Sequence, residues 1–204
     1  MMINHDPEFV ITLQRVIEFI GTFAFALSGI RLAASKHYDW LGGFVCGIAV
    51  AIGGGTIRDV MLGVRPFWML SPIYMICTLF AQCVVIVCHH YLRRLDTTWF
   101  LFDTLGLALF NIAGIQKTLE CGFPFWVAII MGCITGAAGG VIRDVLLNEE
   151  PVIFRKEIYA MACVVGGLTY WLLSWLQVSL YITVIATFAI VCAIRFLAVR
   201  YHIS

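Results

Sequence analysis

The sequence predicts an all-α integral membrane protein of seven transmembrane helices, six forming a 3+3 inverted repeat and the seventh standing outside it. Three observations lead there. The 204 residues are 62% hydrophobic and only 12% charged, with a mean hydropathy of +0.97. Soluble domains run near half apolar and a quarter charged, so lipid must be the solvent for much of this surface. Seven apolar stretches approach the roughly 20 residues that a bilayer crossing requires. And a charged, glycine-rich motif occurs twice at a fixed spacing.

The seven stretches are 10–30, 41–63, 70–89, 98–116, 124–147, 157–174 and 178–199. Connections are short and no low-complexity linker separates them, so a single membrane domain is expected over 1–204. The N-terminal residues, with Asp6 and Glu8, lack a basic region and a small-residue cleavage site, and no cleaved signal peptide is expected.

Gly54-Gly55-Thr56-Ile57-Arg58-Asp59 recurs 85 residues later as Gly139-Gly140-Val141-Ile142-Arg143-Asp144. The same ungapped register carries Glu18 onto Asp103, Gly21 onto Gly106, Phe25 onto Phe110 and Gly29 onto Gly114. It also carries Gly47 onto Gly132, Pro66 onto Pro151 and Tyr74 onto Tyr159. Chance does not hold a register from 18 to 74. Repeat one covers about 10–90, repeat two about 95–175, and the extra helix about 178–199. A unit of three spans, repeated, must insert its second copy upside down. Such inverted repeats place pathways where the halves meet.

Charge sets the expected orientation. One side collects Arg31, Lys36, Arg93, Arg94, Arg155, Lys156, Arg195 and Arg200; the other has Arg65 and Lys117. By the positive-inside rule the N-terminus faces out and the C-terminus faces the cytoplasm. His89 and His90, beside Arg93 and Arg94, are expected at the cytoplasmic boundary rather than as ligands. The net charge of +1 gives no support to a nucleic-acid partner. The eight cysteines form no C-x-x-C pair and sit mostly in apolar runs, where cysteine acts as a small hydrophobe.

Helix two carries Gly53, Gly54 and Gly55 near its middle, and helix five carries Gly139 and Gly140. Each glycine weakens a helix by roughly 1 kcal/mol relative to alanine. Two readings stay open. A bend could bare carbonyls to a pathway, with the Thr56 hydroxyl beside it; or the small residues could let helices pack closely.

Arg58 and Asp59 lie inside the apolar span, as do Arg143 and Asp144. A charge at that depth costs a few kcal/mol unless paired or hydrated. Glu18 and Asp103 are the expected partners of Arg58 and Arg143, reached from the first helix of each repeat. Neighbouring residues diverge by about 100° on a helix, so Asp59 and Asp144 are expected to turn away from their arginines toward water. Arg15, near Glu18, competes for that carboxylate and has Phe100 as its counterpart. Asn111, polar at depth, either lines a path or bonds across helices.

These motifs resemble those of the prokaryotic trimeric intracellular cation (TRIC) channel family, also labelled a glycine transporter domain family. The likeness covers nearly the whole chain. It implies a homotrimer with a pore in each protomer, helices two and five bent at Gly53–Gly55 and Gly139–Gly140, and a monovalent cation, chiefly potassium, as the permeant ion. It places the chain in a bacterial inner membrane. One departure, Ala138 in place of the second motif's first glycine, implies a milder bend in helix five.

A cation channel is therefore the expected function, with a secondary transporter of a small amino acid such as glycine as the alternative. No cofactor is expected. Neither H-E-x-x-H nor G-x-S-x-G occurs, and no enzyme activity is expected.

Overall fold

A computed structural model describes residues 7–88, 98–154 and 158–201, with side chains from 11 onward. Arg93, Arg94, Arg155, Lys156, His89 and His90 lie outside the described residues. Among the described residues seven α-helices follow one another: α1 (Pro7–Ser35), α2 (Trp40–Met61), α3 (Ile73–Val87), α4 (Thr98–Glu120), α5 (Phe125–Leu146), α6 (Ala160–Trp175) and α7 (Leu180–Tyr201). One-turn 3₁₀ helices, Phe67–Met69 and Val152–Phe154, stand before α3 and α6.

Five of these helices, among the described residues, are long and apolar enough to cross a bilayer; α3 and α6 are shorter, at 15 and 16 residues. At 1.5 Å per residue these two reach only about 22–24 Å. Long apolar side chains such as Val45, Phe80, Ile130 and Ile185 are exposed on the outside, where lipid meets them. Trp40, Trp126 and Trp175 sit exposed at helix ends, the positions of an interfacial aromatic belt.

The 85-residue register governs the helix ends too. α1 closes with Tyr38 N–H donating to Ala33 O, and α4 with Phe123 N–H donating to Thr118 O. His37 (φ 61°) and Gly122 (φ 83°) supply the left-handed residue at these equivalent stops. α2 and α5 stop the same way, with Val64 N–H on Asp59 O and Glu149 N–H on Asp144 O, through Gly63 (φ 71°) and Asn148 (φ 53°). Glycine and asparagine tolerate that region best, so the sequence punctuates both repeats alike.

The two units meet about a pseudo-two-fold axis. α1 and α4 are the most buried of the long helices. Phe25 and Phe110, register equivalents, stack with ring centroids 5.3 Å apart. Each ring covers a glycine of the other helix, Phe25 over Gly106 and Phe110 over Gly21.

α2 and α5 cross with the same reciprocity. A Cβ on Gly54 would strike the carbonyl of Thr135, and one on Gly139 would lie 2.8 Å from the carbonyl of Val50, the register equivalent of Thr135. Both helices remain helical through these glycines. The glycines thus permit backbone-to-backbone approach, and the expected break that bares carbonyls gives way to close packing. α7 lies outside the repeat, against α6 and α4.

For orientation, the face holding the start of α1 and the end of α2 is called the N-face, and the face holding the end of α7 the C-face.

Candidate functional site

Each repeat buries one arginine between two carboxylates. In repeat one, Arg58 is fully buried near the end of α2. Its Nη2 donates to Glu18 Oε1 on α1 at 3.1 Å, and its Nε to Asp59 Oδ1 at 2.7 Å. The Tyr74 hydroxyl, on α3, donates to the other oxygen of Glu18 at 3.3 Å. Asp59 Oδ2 accepts the Phe67 N–H at 2.8 Å, tying the 3₁₀ turn to the end of α2.

Repeat two reproduces this. Arg143 Nη1 donates to Asp103 Oδ1 at 2.6 Å and Nε to Asp144 Oδ1 at 2.9 Å. Tyr159 donates to Asp103 Oδ1 at 3.3 Å, and Asp144 Oδ2 accepts the Val152 N–H at 2.9 Å. A guanidinium is a planar fork with five donors, so one arginine can bind two carboxylates on different sides. Taking the three charges out of lipid contact and pairing them offsets a desolvation cost of several kcal/mol per ion.

The expected partners Glu18 and Asp103 thus lie within hydrogen-bonding distance of Arg58 and Arg143. Asp59 and Asp144 differ from expectation. Both are buried and bound by the arginine that precedes them, with exposures of 1% and 2%. The long arginine side chain folds back along its helix and brings its Nε to the neighbouring carboxylate, which the 100° divergence of Cβ vectors does not prevent.

Thr56 also differs: its hydroxyl donates to Ile52 O at 2.7 Å and accepts the Trp68 indole N–H at 3.0 Å, so it is engaged within the bundle. Asn111 bonds across helices, its Nδ2 donating to Cys163 O on α6 at 3.3 Å. Gly53, Gly55 and Gly140 face Ile142, the Phe67 ring and the Tyr159 hydroxyl at distances that leave no room for a methyl group. All eight cysteines are free thiols.

Three contributors escaped the sequence reading. The paired tyrosines were in register, but nothing in the sequence said that each would bond its repeat's carboxylate. Ser28 accepts from Arg143 Nη1 at 2.8 Å and has Ala113 as its counterpart, so no symmetry signal marks it. Arg195, counted among the boundary charges, is instead fully buried in the bundle. Its Nη2 lies 3.9 Å from Asp103 Oδ2.

The two clusters differ in access. A cavity of about 850 Å³ opens at the N-face and is lined by Glu18, Asp59, Arg15, Arg65, Lys117 and Tyr74 among others. Its inner wall is the repeat-one cluster. Arg15 is exposed on the wall, while the oxygens of Glu18 are taken by Arg58 and Tyr74. Gln14, with its amide turned to donate, lies 2.5 and 2.9 Å from the oxygens of Glu120 at the same rim. At the inner end of the cavity Arg58 faces the two carboxylates Glu18 and Asp59, while Arg15, Arg65, Lys117 and Glu120 line the rest of it.

Fold and site together define a helical membrane protein built from two oppositely inserted three-helix units, each buttressed by a buried arginine–carboxylate cluster. The chain belongs to the glycine transporter family of membrane proteins, the prokaryotic branch of the TRIC channels: the family's model, Glycine transporter, matches it twice, over 15–90 and 100–175. The two matches are themselves 85 residues apart. The UPF0126 inner membrane protein YadS of Escherichia coli K12 is 37% identical over 192 residues, 92% of each chain. The UPF0126 membrane protein YvgT of Bacillus subtilis is 34% identical, covering 88% of this chain and 89% of that one.

Among solved structures, the TRIC trimeric intracellular cation channel orthologue from Rhodobacter sphaeroides superposes with a TM-score of 0.86 at 29% identity, covering 94% of this chain and all of that one. A second TRIC cation channel superposes with a TM-score of 0.80 at 32% identity, over 92% of this chain and 93% of that one.

Proposed function

We propose that this protein is a monovalent cation channel, conducting chiefly potassium, with a path in each protomer of a homotrimer in a bacterial inner membrane. The carrying observation is the N-face cavity that reaches the carboxylates of Glu18 and Asp59. Carboxylates at the inner end of a recess draw cations inward past the charged rim, because low-dielectric walls focus their field. The solved TRIC cation channels share this fold over more than nine-tenths of the chain, which supports the same use.

In this reading cations enter at the cavity, pass the Arg58 cluster and continue along the α2–α5 crossing at Gly53–Gly55 and Gly139–Gly140. The close backbone contact there is a closed state, and conduction requires the two helices to separate. The lysine and arginine asymmetry supports an extracellular N-face and a cytoplasmic C-face. The reaction is passive transport, with no enzymatic step and no cofactor.

Purified protein in planar bilayers under a potassium chloride gradient is expected to give stepwise unitary currents reversing toward the potassium equilibrium potential. Silent bilayers together with glycine counterflow in liposomes would replace the channel with the carrier that the name of the family model suggests.

A further inference from the structure

The wall of the N-face cavity includes Arg15, Glu18 and Tyr74. The 85-residue register carries these three onto Phe100, Asp103 and Tyr159. Where repeat one has a cavity against them, repeat two has the guanidinium of Arg195. Its Cζ lies 5.0 Å from the Phe100 ring centroid and 4.7 Å from that of Tyr159. Nη2 is 3.9 Å from Asp103 Oδ2, and Nη1 donates to Ile158 O at 3.2 Å.

We propose that Arg195 is a built-in plug: α7, the helix outside the repeat, inserts its guanidinium into the repeat-two counterpart of the cavity and closes the C-face end of the path.

Three features fit this role. Thr183, Thr187, Val191 and Arg195 are all buried and spaced four residues apart, so α7 presents one continuous stripe to α4 and α6 and holds the arginine in place. The neighbouring Phe196 packs edge-on against Phe100, with centroids 5.7 Å apart, and fixes the ring that Arg195 covers. The buried charges differ as well: Arg58 is the buried guanidinium facing Glu18 and Asp59, with Arg15 exposed on the cavity wall, whereas Arg143 and Arg195, both buried, together face Asp103 and Asp144. The repeat-two cluster is thereby neutralised and holds no excess charge to draw a cation. Two aromatic faces and a carboxylate hold the cation in place, and each is a non-covalent contact that a moving helix can give up. Opening of the C-face then means withdrawal of Arg195 from Asp103.

The proposal deepens the channel reading, and its test has an arm that needs no current. Hydroxyl-radical labelling of the full-length protein in lipid nanodiscs reports water access to aromatic rings. In the wild type Tyr74, on the cavity, is expected to label more strongly than its counterpart Tyr159. R195Q is expected to raise labelling of Tyr159 and Phe100 about threefold or more, leaving Tyr74 unchanged, and to raise open probability in bilayers by a similar factor. R195K, which keeps charge but loses the planar stack, is expected to fall between. Should R195Q fail to fold, F100L carries the test by removing one of the two rings, with a rise at Tyr159 of about twofold. Labelling of Tyr159 that stays at the wild-type level in the folded variants overturns the plug. A rise in labelling without current in any variant upholds the plug and removes the channel reading.

Discussion

Replacing Arg143 with leucine is expected to lower stability by about 3–5 kcal/mol, the cost of leaving a buried ion cluster without its partner. Asp103 and Asp144 are both bound by this one guanidinium, and neither reaches solvent in the folded chain. The loss is therefore larger than deletion of a surface pair, which is worth about 0–1 kcal/mol. Arg58→Leu is expected to cost less, because Glu18 and Asp59 border the cavity and can be hydrated there. Chemical or thermal denaturation in detergent measures both. The double variant R143L/D103N, which removes charge on both sides, is expected to recover part of the loss of R143L, as coupled neighbours do. Equal losses for R143L and R58L would show that the cavity does not hydrate the repeat-one carboxylates.

The second large effect is expected at Gly54. Its missing Cβ is where the Thr135 carbonyl sits, and backbone atoms cannot move aside as a flexible side chain can. Gly54→Ala is expected to separate α2 from α5 and cost about 1–3 kcal/mol, despite the roughly 1 kcal/mol that alanine adds to helix propensity. Gly139→Ala meets the Val50 carbonyl at 2.8 Å and is expected to behave alike. Because the closed path runs along this crossing, both variants are also expected to shift the gating equilibrium toward the open state. Unfolding midpoints and open probabilities measured on the same preparations check the pair. An alanine at either position that left stability unchanged would show that the two helices do not meet backbone to backbone.

How far the sequence carries is visible at individual residues. Depth along the first helix located Glu18 opposite Arg58, and the register then carried the pair onto Asp103 and Arg143, since a charge in an apolar span needs a partner at its own depth. It failed at Asp59 and Asp144, because helix geometry fixes Cβ directions while a four-bond side chain chooses its own path. Their second role, holding the N–H groups of Phe67 and Val152, depends on loops that return to the helix end, and periodicity does not encode such returns. The glycines were legible as a meeting point of two halves. Their use as backbone contacts needed the crossing itself. Arg195 was hidden most thoroughly. Lying outside the repeat, it had no copy to mark it, and near a helix end it read as a boundary charge.

Entry of ions through the N-face cavity is decided at Arg65. Arg65 is exposed on the cavity wall and makes no ion pair among the described residues, so R65E changes the field without disturbing the fold. Unitary potassium conductance of R65E is predicted to exceed that of the wild type in about 0.1 M salt, where the Debye length is about 10 Å, and to converge with it at about 1 M, where it is about 3 Å. Equal conductances at the lower salt would contradict entry through this cavity.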